Sequence, residues 1–333
     1  MSARLDILAP HLIEHLLRAP DDAPTQAVSS VLARGELRAT PRTDVDTAML
    51  AWFGLSSFEG LADISAAVDF AAHDGDAHWL RADPVHLRAD ATRVILFDTD
   101  SVGLAADESD ALLAHLNAGF AGQALQFERG HSPSRWYLRA PAPQALELVS
   151  PRALRGSAVE DSLSALRRAG ALNRVMTEAQ MVLYGAPVND ARGAAGRAPI
   201  NSVWFWGGGS APAIARGTRG AVLGDDDFLA ALAHHAGLTH QRAVTGLTEL
   251  LHAACGDVLL LDHAEFDDCD VARFAREILA PACAALSRGR VGEVVIHAGG
   301  AELSLTRGAR WRLWRRATVF LDALRRLREG EAR

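Results

Sequence analysis

Apolar residues recur at helical spacing near the amino terminus, at Leu5, Leu8, Leu12 and Leu16 or Leu17, and predict a helix over residues 4–18. A second helix is expected from Thr25 to Ala33. A third runs from Asp44 to Leu55, opened by an Asp cap and stopped at Gly54. Residues 62–138 change character. Two-residue alternation in DAHWLRADPVHLRAD and TRVILFDTD predicts strands, DESDALLAHLNAGF a helix with an acidic first turn, and QALQFERG and SRWYLRA two further strands.

SALRRAGALNRVMTEAQMVL then reads as one long helix that runs into the most distinctive stretch of the chain, residues 178–209. There a polar loop carries Asn189, Arg192 and Arg197, and a buried strand, Ile200 to Trp206, ends on Gly207, Gly208 and Gly209. Consecutive glycines allow close backbone approach, and ligands of open α/β sheets sit beyond the carboxyl ends of strands. A plain flexible turn fits the same glycines. Downstream, strands (GAVLG, Val258–Leu261, GEVVIHAGG) alternate with helices, as a parallel sheet covered on both faces requires. The expected fold class is therefore α/β: a mainly parallel core in two parts, residues 1–76 and 156–333, interrupted by a smaller α+β cap at 77–155.

Composition narrows the function. The 333 residues are 49% hydrophobic and 23% charged, with no apolar run long enough for a bilayer. The first residues are broken by Asp6, Pro10, His11 and Glu14, so no secretory signal is expected and the cytoplasm is the expected compartment. A net charge of −7 argues against nucleic acid as a partner. The basic run RGARWRLWRR is read as a solvated helix face with its tryptophans packed inward; the alternative is a Trp- and Arg-rich surface that touches nucleic acid or an acidic partner. Cys255, Cys269 and Cys283 form no metal or disulfide pattern and read as small apolar residues.

The chain contains no lysine; all 34 basic residues are arginine. Lysine Schiff bases and a P-loop lysine are excluded, which leaves arginine, with histidine, to hold phosphate or carboxylate.

In their order along the chain, several of these segments resemble the archaeal-type, cofactor-independent phosphoglycerate mutases of the alkaline-phosphatase superfamily. VDTAMLAWFGL resembles the nucleophile helix Ser-Asp-Thr-Ala-His-Leu. HWLRADPVHL looks like the segment that opens the family's cap, LAADESDALLAHLN like the cap helix, and SRWYLRA like a cap strand. APVNDARGAAGRAPINSVWFWGGG is similar to His-Pro-Val-Asn … Arg … Pro-Ala-Asn … Arg-Gly-Ala-Gly. The Asn-Ser-Val-Trp-Phe-Trp-Gly-Gly-Gly run also resembles the shorter bacterial proteins called RpfE-type regulatory proteins.

The resemblance implies an alkaline-phosphatase-like core, and for active members a seryl nucleophile and two divalent metals. Here the nucleophile falls on Val45, a histidine of the same helix on Met49, and an Asp-His pair on Gly299 and Gly300. Asp46 and Thr47, with Thr43 and Asp44, are the available substitutes for the nucleophile. Asp262, His263, Asp267, Asp268 and Asp270 form an acidic stretch that is either a weak Mg²⁺ or Ca²⁺ site or a helix N-terminus. By the same resemblance Arg81, Arg135, Arg192, Arg197, Asn189 and Asn201 would face a small phosphorylated acid. The expectation is a degenerate mutase-like protein, regulatory or phospho-ligand-binding, needing no cofactor. An active mutase or phosphohydrolase using Mn or Mg and relocated groups, and an interaction protein using its carboxyl-terminal helix, are the alternatives.

Overall fold

The computed structural model describes residues 3–70, 78–123, 125–140, 144, 146, 148–253, 255–262 and 268–331. Its strands, in chain order, are β1 Ala3–Leu8, β2 Glu36–Ala39, β3 His78–Ala89, β4 Val94–Phe97, β5 Gln126–Arg129, β6 Trp136–Ala140, β7 Ser202–Trp206, β8 Arg219–Leu223, β9 Thr239–Gln241, β10 Asp257–Leu261, β11 Val291–Ala298 and β12 Ala301–Thr306. The chain divides into two units, one made of Met1–Gly54 and Ile214–Arg333, the other of Leu55–Ala213.

The first unit is built on a seven-stranded sheet in the order β2-β12-β11-β1-β10-β8-β9. β11, β1, β10, β8 and β9 pair in parallel, and β12 and β2 add antiparallel at one edge. The central strands are short apolar runs, as a doubly covered parallel sheet demands. Leu5, Ile7, Val258, Leu260, Val294 and Ile296 are fully or nearly fully buried among helix residues such as Leu12, Leu16, Phe274 and Ile278.

β1 corrects the expectation of a helix over 4–18. Residues 3–8 form the middle strand of this sheet, and the helix begins only at Leu12, after Pro10. Leu5, Ile7 and Ala9 satisfy a two-residue period as well as the leucines satisfy a helical one, and the neighbouring strands decide between them. The helix Val45–Phe53 forms as expected. The Asp44 carboxylate caps the Thr47 N–H, and Gly54 closes the helix at φ +79°. The long apolar stretch near residue 274 runs through a π-helical segment, Phe274–Leu279, just before Pro281, which brings no N–H to the helix ladder.

The second unit holds a five-stranded antiparallel sheet. β3 is its spine: β6 pairs with His78–Arg81 and β4 with His86–Ala89, while β7 pairs with Arg81–Val85 along the other edge. The strand–strand–helix–strand–strand order expected for this region is present, with the helix at Ala106–Gly119. Four features differ from the sequence expectation. β7 belongs to this antiparallel sheet rather than to a parallel one, because Val203 and Phe205 meet Pro84 and Ala82 of β3. The unit accordingly runs from Leu55 to Ala213, beyond 77–155. The long helix is two, Glu160–Arg168 and Ala171–Tyr184, separated at Gly170 (φ +52°). The expected loop carrying Asn189 and Arg192 is a helix, Pro187–Ala194, opened by proline at its first position and burying those two side chains.

Candidate functional site

A cleft of about 760 Å³ opens in the first unit. It is lined by Pro10, which follows β1, by Gly299–Gly300, which follow β11, and by Val45, Ala48 and Trp52 of the capped helix. Thr40 and Thr43 supply hydroxyls, and Arg4, Asp6, Asp257, Arg219 and His297 line its floor.

Asp6 organises the floor. Its carboxylate is buried at 4% exposure and accepts from Arg4 Nε at 2.9 Å, Trp52 Nε1 at 3.2 Å and His297 Nε2 at 3.0 Å. Arg219 lies over the Trp52 ring at 5.4 Å and donates to the Trp52 carbonyl at 2.6 Å. Asp257 accepts from the Arg4 N–H at 2.8 Å and from the Thr218 hydroxyl at 2.5 Å. The Arg4 guanidinium is desolvated, but Asp6, Glu293 and Glu302 outweigh that and raise its pKa. Arg4, Trp52, Arg219, Asp257 and His297 did not stand out in the sequence. The available signal was a charged or imidazole side chain inside an apolar run, as in LDIL and VVIHA.

Of the positions that the resemblance assigns to catalysis, only some line this cleft. Val45 and Gly299–Gly300 face the cleft, and Met49 is buried at 0% exposure. The Thr47 hydroxyl donates to Asp44 at 2.7 Å as part of the helix cap, and Asp46 is buried at 2% exposure in the first turn. Asp262, just beyond β10, pairs with Arg273 at 2.6 Å. His263 and Asp267 lie outside the described residues, as does the Asp268 side chain. Asp270 also faces Arg273, at 3.7 Å.

A pair of divalent ions needs several oxygen or nitrogen donors converging on one point. Among the described residues no group of three or more His, Cys, Asp or Glu is placed to hold one. Val45, Met49 and the two glycines offer no oxygen or nitrogen side-chain donor, so this set does not fit a metal pair.

The arginines and asparagines read as ligand contacts lie in the second unit, each engaged within the chain. Buried Arg81 donates to Asp83 at 2.7 Å and sits over the Tyr137 and Trp206 rings. Burial pushes the Asp83 carboxyl up, against Arg81 and the Trp206 indole N–H, which donates to it at 2.7 Å. Arg135 pairs with Asp69, which also accepts from the Tyr137 hydroxyl and from His131. Burial opposes ionisation of Asp69, but Arg135, Tyr137 and His131 together hold its carboxyl below the usual range. Arg192, with no side-chain exposure, donates to Glu108 at 2.7 Å, the Ala198 carbonyl at 2.9 Å and the Val102 carbonyl at 3.0 Å. Arg197 joins it on Glu108, whose pKa the pair lowers despite partial burial.

Both asparagines replace backbone. Asn189 bonds the N–H and carbonyl of Ile200 and the Leu183 carbonyl, each at 2.8 or 2.9 Å. Asn201 bonds the N–H and carbonyl of Leu87, extending the β3–β7 ladder.

The three glycines allow close approach of the chain to itself. Gly207 (φ +72°) and Gly208 accept from the N–H groups of Ala62 and Gly60. A Cβ on Gly208 would lie 2.2 Å from the Gln144 carbonyl oxygen.

In sequence the chain is 26% identical over 234 residues to a 2,3-bisphosphoglycerate-independent phosphoglycerate mutase of Methanosarcina mazei, covering 65% of this chain and 57% of that protein. It is 24% identical over 163 residues to a probable mutase of the same kind from Geobacter sulfurreducens, covering 47% and 41%. The chain thus spans little more than half the length of the first of these relatives. In structure it matches the PH0037 protein from Pyrococcus horikoshii over 95% of this chain and 90% of that one, with a TM-score of 0.50 and 16% identity. No family profile matches. The mixed α/β fold with a mainly parallel central sheet is shared with that Pyrococcus horikoshii protein. Among the described residues no helix is long and apolar enough to cross a membrane.

Proposed function

We propose that the chain is a phosphoglycerate mutase-like protein that lacks metal-dependent phosphoryl transfer and acts as a regulatory or phospho-ligand-binding protein. The observation that carries this reading is Val45 at the head of the capped helix, facing the cleft where a hydroxyl nucleophile would be required. An isopropyl group has no lone pair to attack phosphorus and no proton for a base to remove. The glycine pair that also lines the cleft has no imidazole or carboxylate to replace it.

Binding of a small phosphorylated acid is supported by the cleft rather than by the second unit's arginines. Arg4 and Arg219 give it cations, Thr40 and Thr43 give hydroxyls, and Trp52 with Val45 gives apolar surface. Arginine suits such anions because its fork matches two oxygens at once. The assay is turnover of 2- and 3-phosphoglycerate and of a generic phosphomonoester, with Mn²⁺ or Mg²⁺ supplied. No turnover is expected; metal-dependent turnover at an enzymic rate overturns the reading. Ligand binding is read separately by thermal protection, which must grow with phosphoglycerate concentration as mass action requires.

A further inference from the structure

The run Arg307–Arg316 does not tuck its tryptophans inward. Trp311 is 67% exposed, Leu313 68% and Trp314 73%, with Val319 at 63% on the helix that follows. These four are most of the large apolar side chains that the described chain leaves in solvent. Isolated exposed apolar residues are ordinary, but a sequence-local cluster marks an interaction surface.

The backbone that carries them is held from below. Ala309, Phe320, Leu321 and Leu324 are buried in the core of the first unit. Arg312 donates to Glu36 at 3.0 Å and to the Arg34 carbonyl at 3.4 Å, Arg315 donates to the Gly35 carbonyl, and Arg307 donates to the Ser287 carbonyl at 3.1 Å. Three arginines thus fasten the turn while the aromatic side chains face solvent. Arg310 lies over the Trp311 ring at 4.8 Å, and Arg316 is exposed.

We propose that the Trp311–Arg316 turn, with Val319, is a docking surface for a protein segment that carries carboxylates beside apolar side chains. Charge complementarity selects that occupant. The stretch from Leu303 to Leu321 holds five arginines and no acidic residue, in a molecule of net charge −7. Tryptophan and arginine are the side chains that dominate protein–protein hot spots, and a turn already fixed in place loses little freedom on binding.

An anionic membrane or a nucleic acid fits less well. Both reward many outward-facing cations, whereas three of the five arginines here bond their own chain, and the acidic remainder is repelled from either polyanion. The proposal is independent of any ligand in the cleft.

The test is selection of a displayed random-peptide library on the full chain, with the Trp311→Ala/Trp314→Ala variant as counter-target, followed by anisotropy titration of the selected peptides. Both substitutions remove exposed side chains, and circular dichroism checks that the variant is folded. Enriched peptides are expected to combine Asp or Glu with Leu, Ile or Phe. They should lose at least tenfold in affinity to Trp314→Ala or Arg310→Ala, and bind more weakly as salt rises. No enrichment over the counter-target, a consensus without acidic residues, or affinities indifferent to these substitutions would overturn the proposal. So would tryptophan-dependent binding to phosphatidylserine vesicles or to oligo(dT) in place of peptides.

Discussion

The two units treat charge in opposite ways. In Leu55–Ala213, Arg81, Arg135, Arg192 and Arg197 point at Asp83, Asp69 and Glu108 of the same unit, mostly out of solvent. In the other unit Arg4, with a side chain 41% exposed, and His297, at 33%, meet Asp6 at the floor of an open cleft. A side chain that resembles a ligand contact in sequence can therefore be one that folds its own domain. Burial and partners, not residue type, separate the two roles.

The largest expected contrast is in stability. Arg81→Ala leaves Asp83 buried without its cation and should cost about 3–5 kcal/mol. Arg4→Ala removes a guanidinium that is itself 41% exposed and leaves the buried Asp6 carboxylate its Trp52 and His297 donors, so it should cost less, about 1–3 kcal/mol. Urea denaturation measures both, and equal losses would erase the distinction between the units.

Asn189→Ala should cost about 1–3 kcal/mol, because the Ile200 N–H and two carbonyls lose their partner in a buried place. A purely ligand-facing asparagine would leave stability unchanged and alter only binding.

Acid should act chiefly through the second unit. The folded pKa of Asp69 lies below its unfolded value, so its stabilisation is complete above the unfolded value, near 3.8, and is lost as pH falls through the folded one. Asp69→Asn should lower stability at pH 7 and flatten its fall towards pH 3, as followed by denaturation at a series of pH values.

The smallest effect belongs to Val45→Ser. It should change stability by less than about 1 kcal/mol and confer no turnover, since the cleft would gain a hydroxyl without the donors that activate one.

Much of the architecture was legible because local chemistry agreed with the fold. Asp44 and Gly54 bracket their helix in sequence as in structure, and the second unit's strands follow its alternating segments. β1 was misread because Leu5, Leu8 and Leu12 suit a helix, and only pairing with β10 and β11 makes them a strand. The helix Pro187–Ala194 was hidden by its small residues. The partners of the arginines were not legible at all, because they are remote: Glu108 lies 84 residues from Arg192, and Asp69 lies 66 from Arg135. The outward tryptophans were misjudged for a related reason. Periodicity marks an apolar face but not whether anything covers it. The cysteines show the same limit, since Cys255 is exposed and Cys283 only partly buried.

The most direct measurement is metal stoichiometry: elemental analysis of protein purified without chelator, followed by calorimetric titration of the same sample with Mn²⁺. With Val45, Gly299 and Gly300 around the cleft, the account predicts substoichiometric metal and no saturable Mn²⁺ heat. One or two tightly bound equivalents would contradict it, placing a functional metal centre in a molecule read here as having lost one.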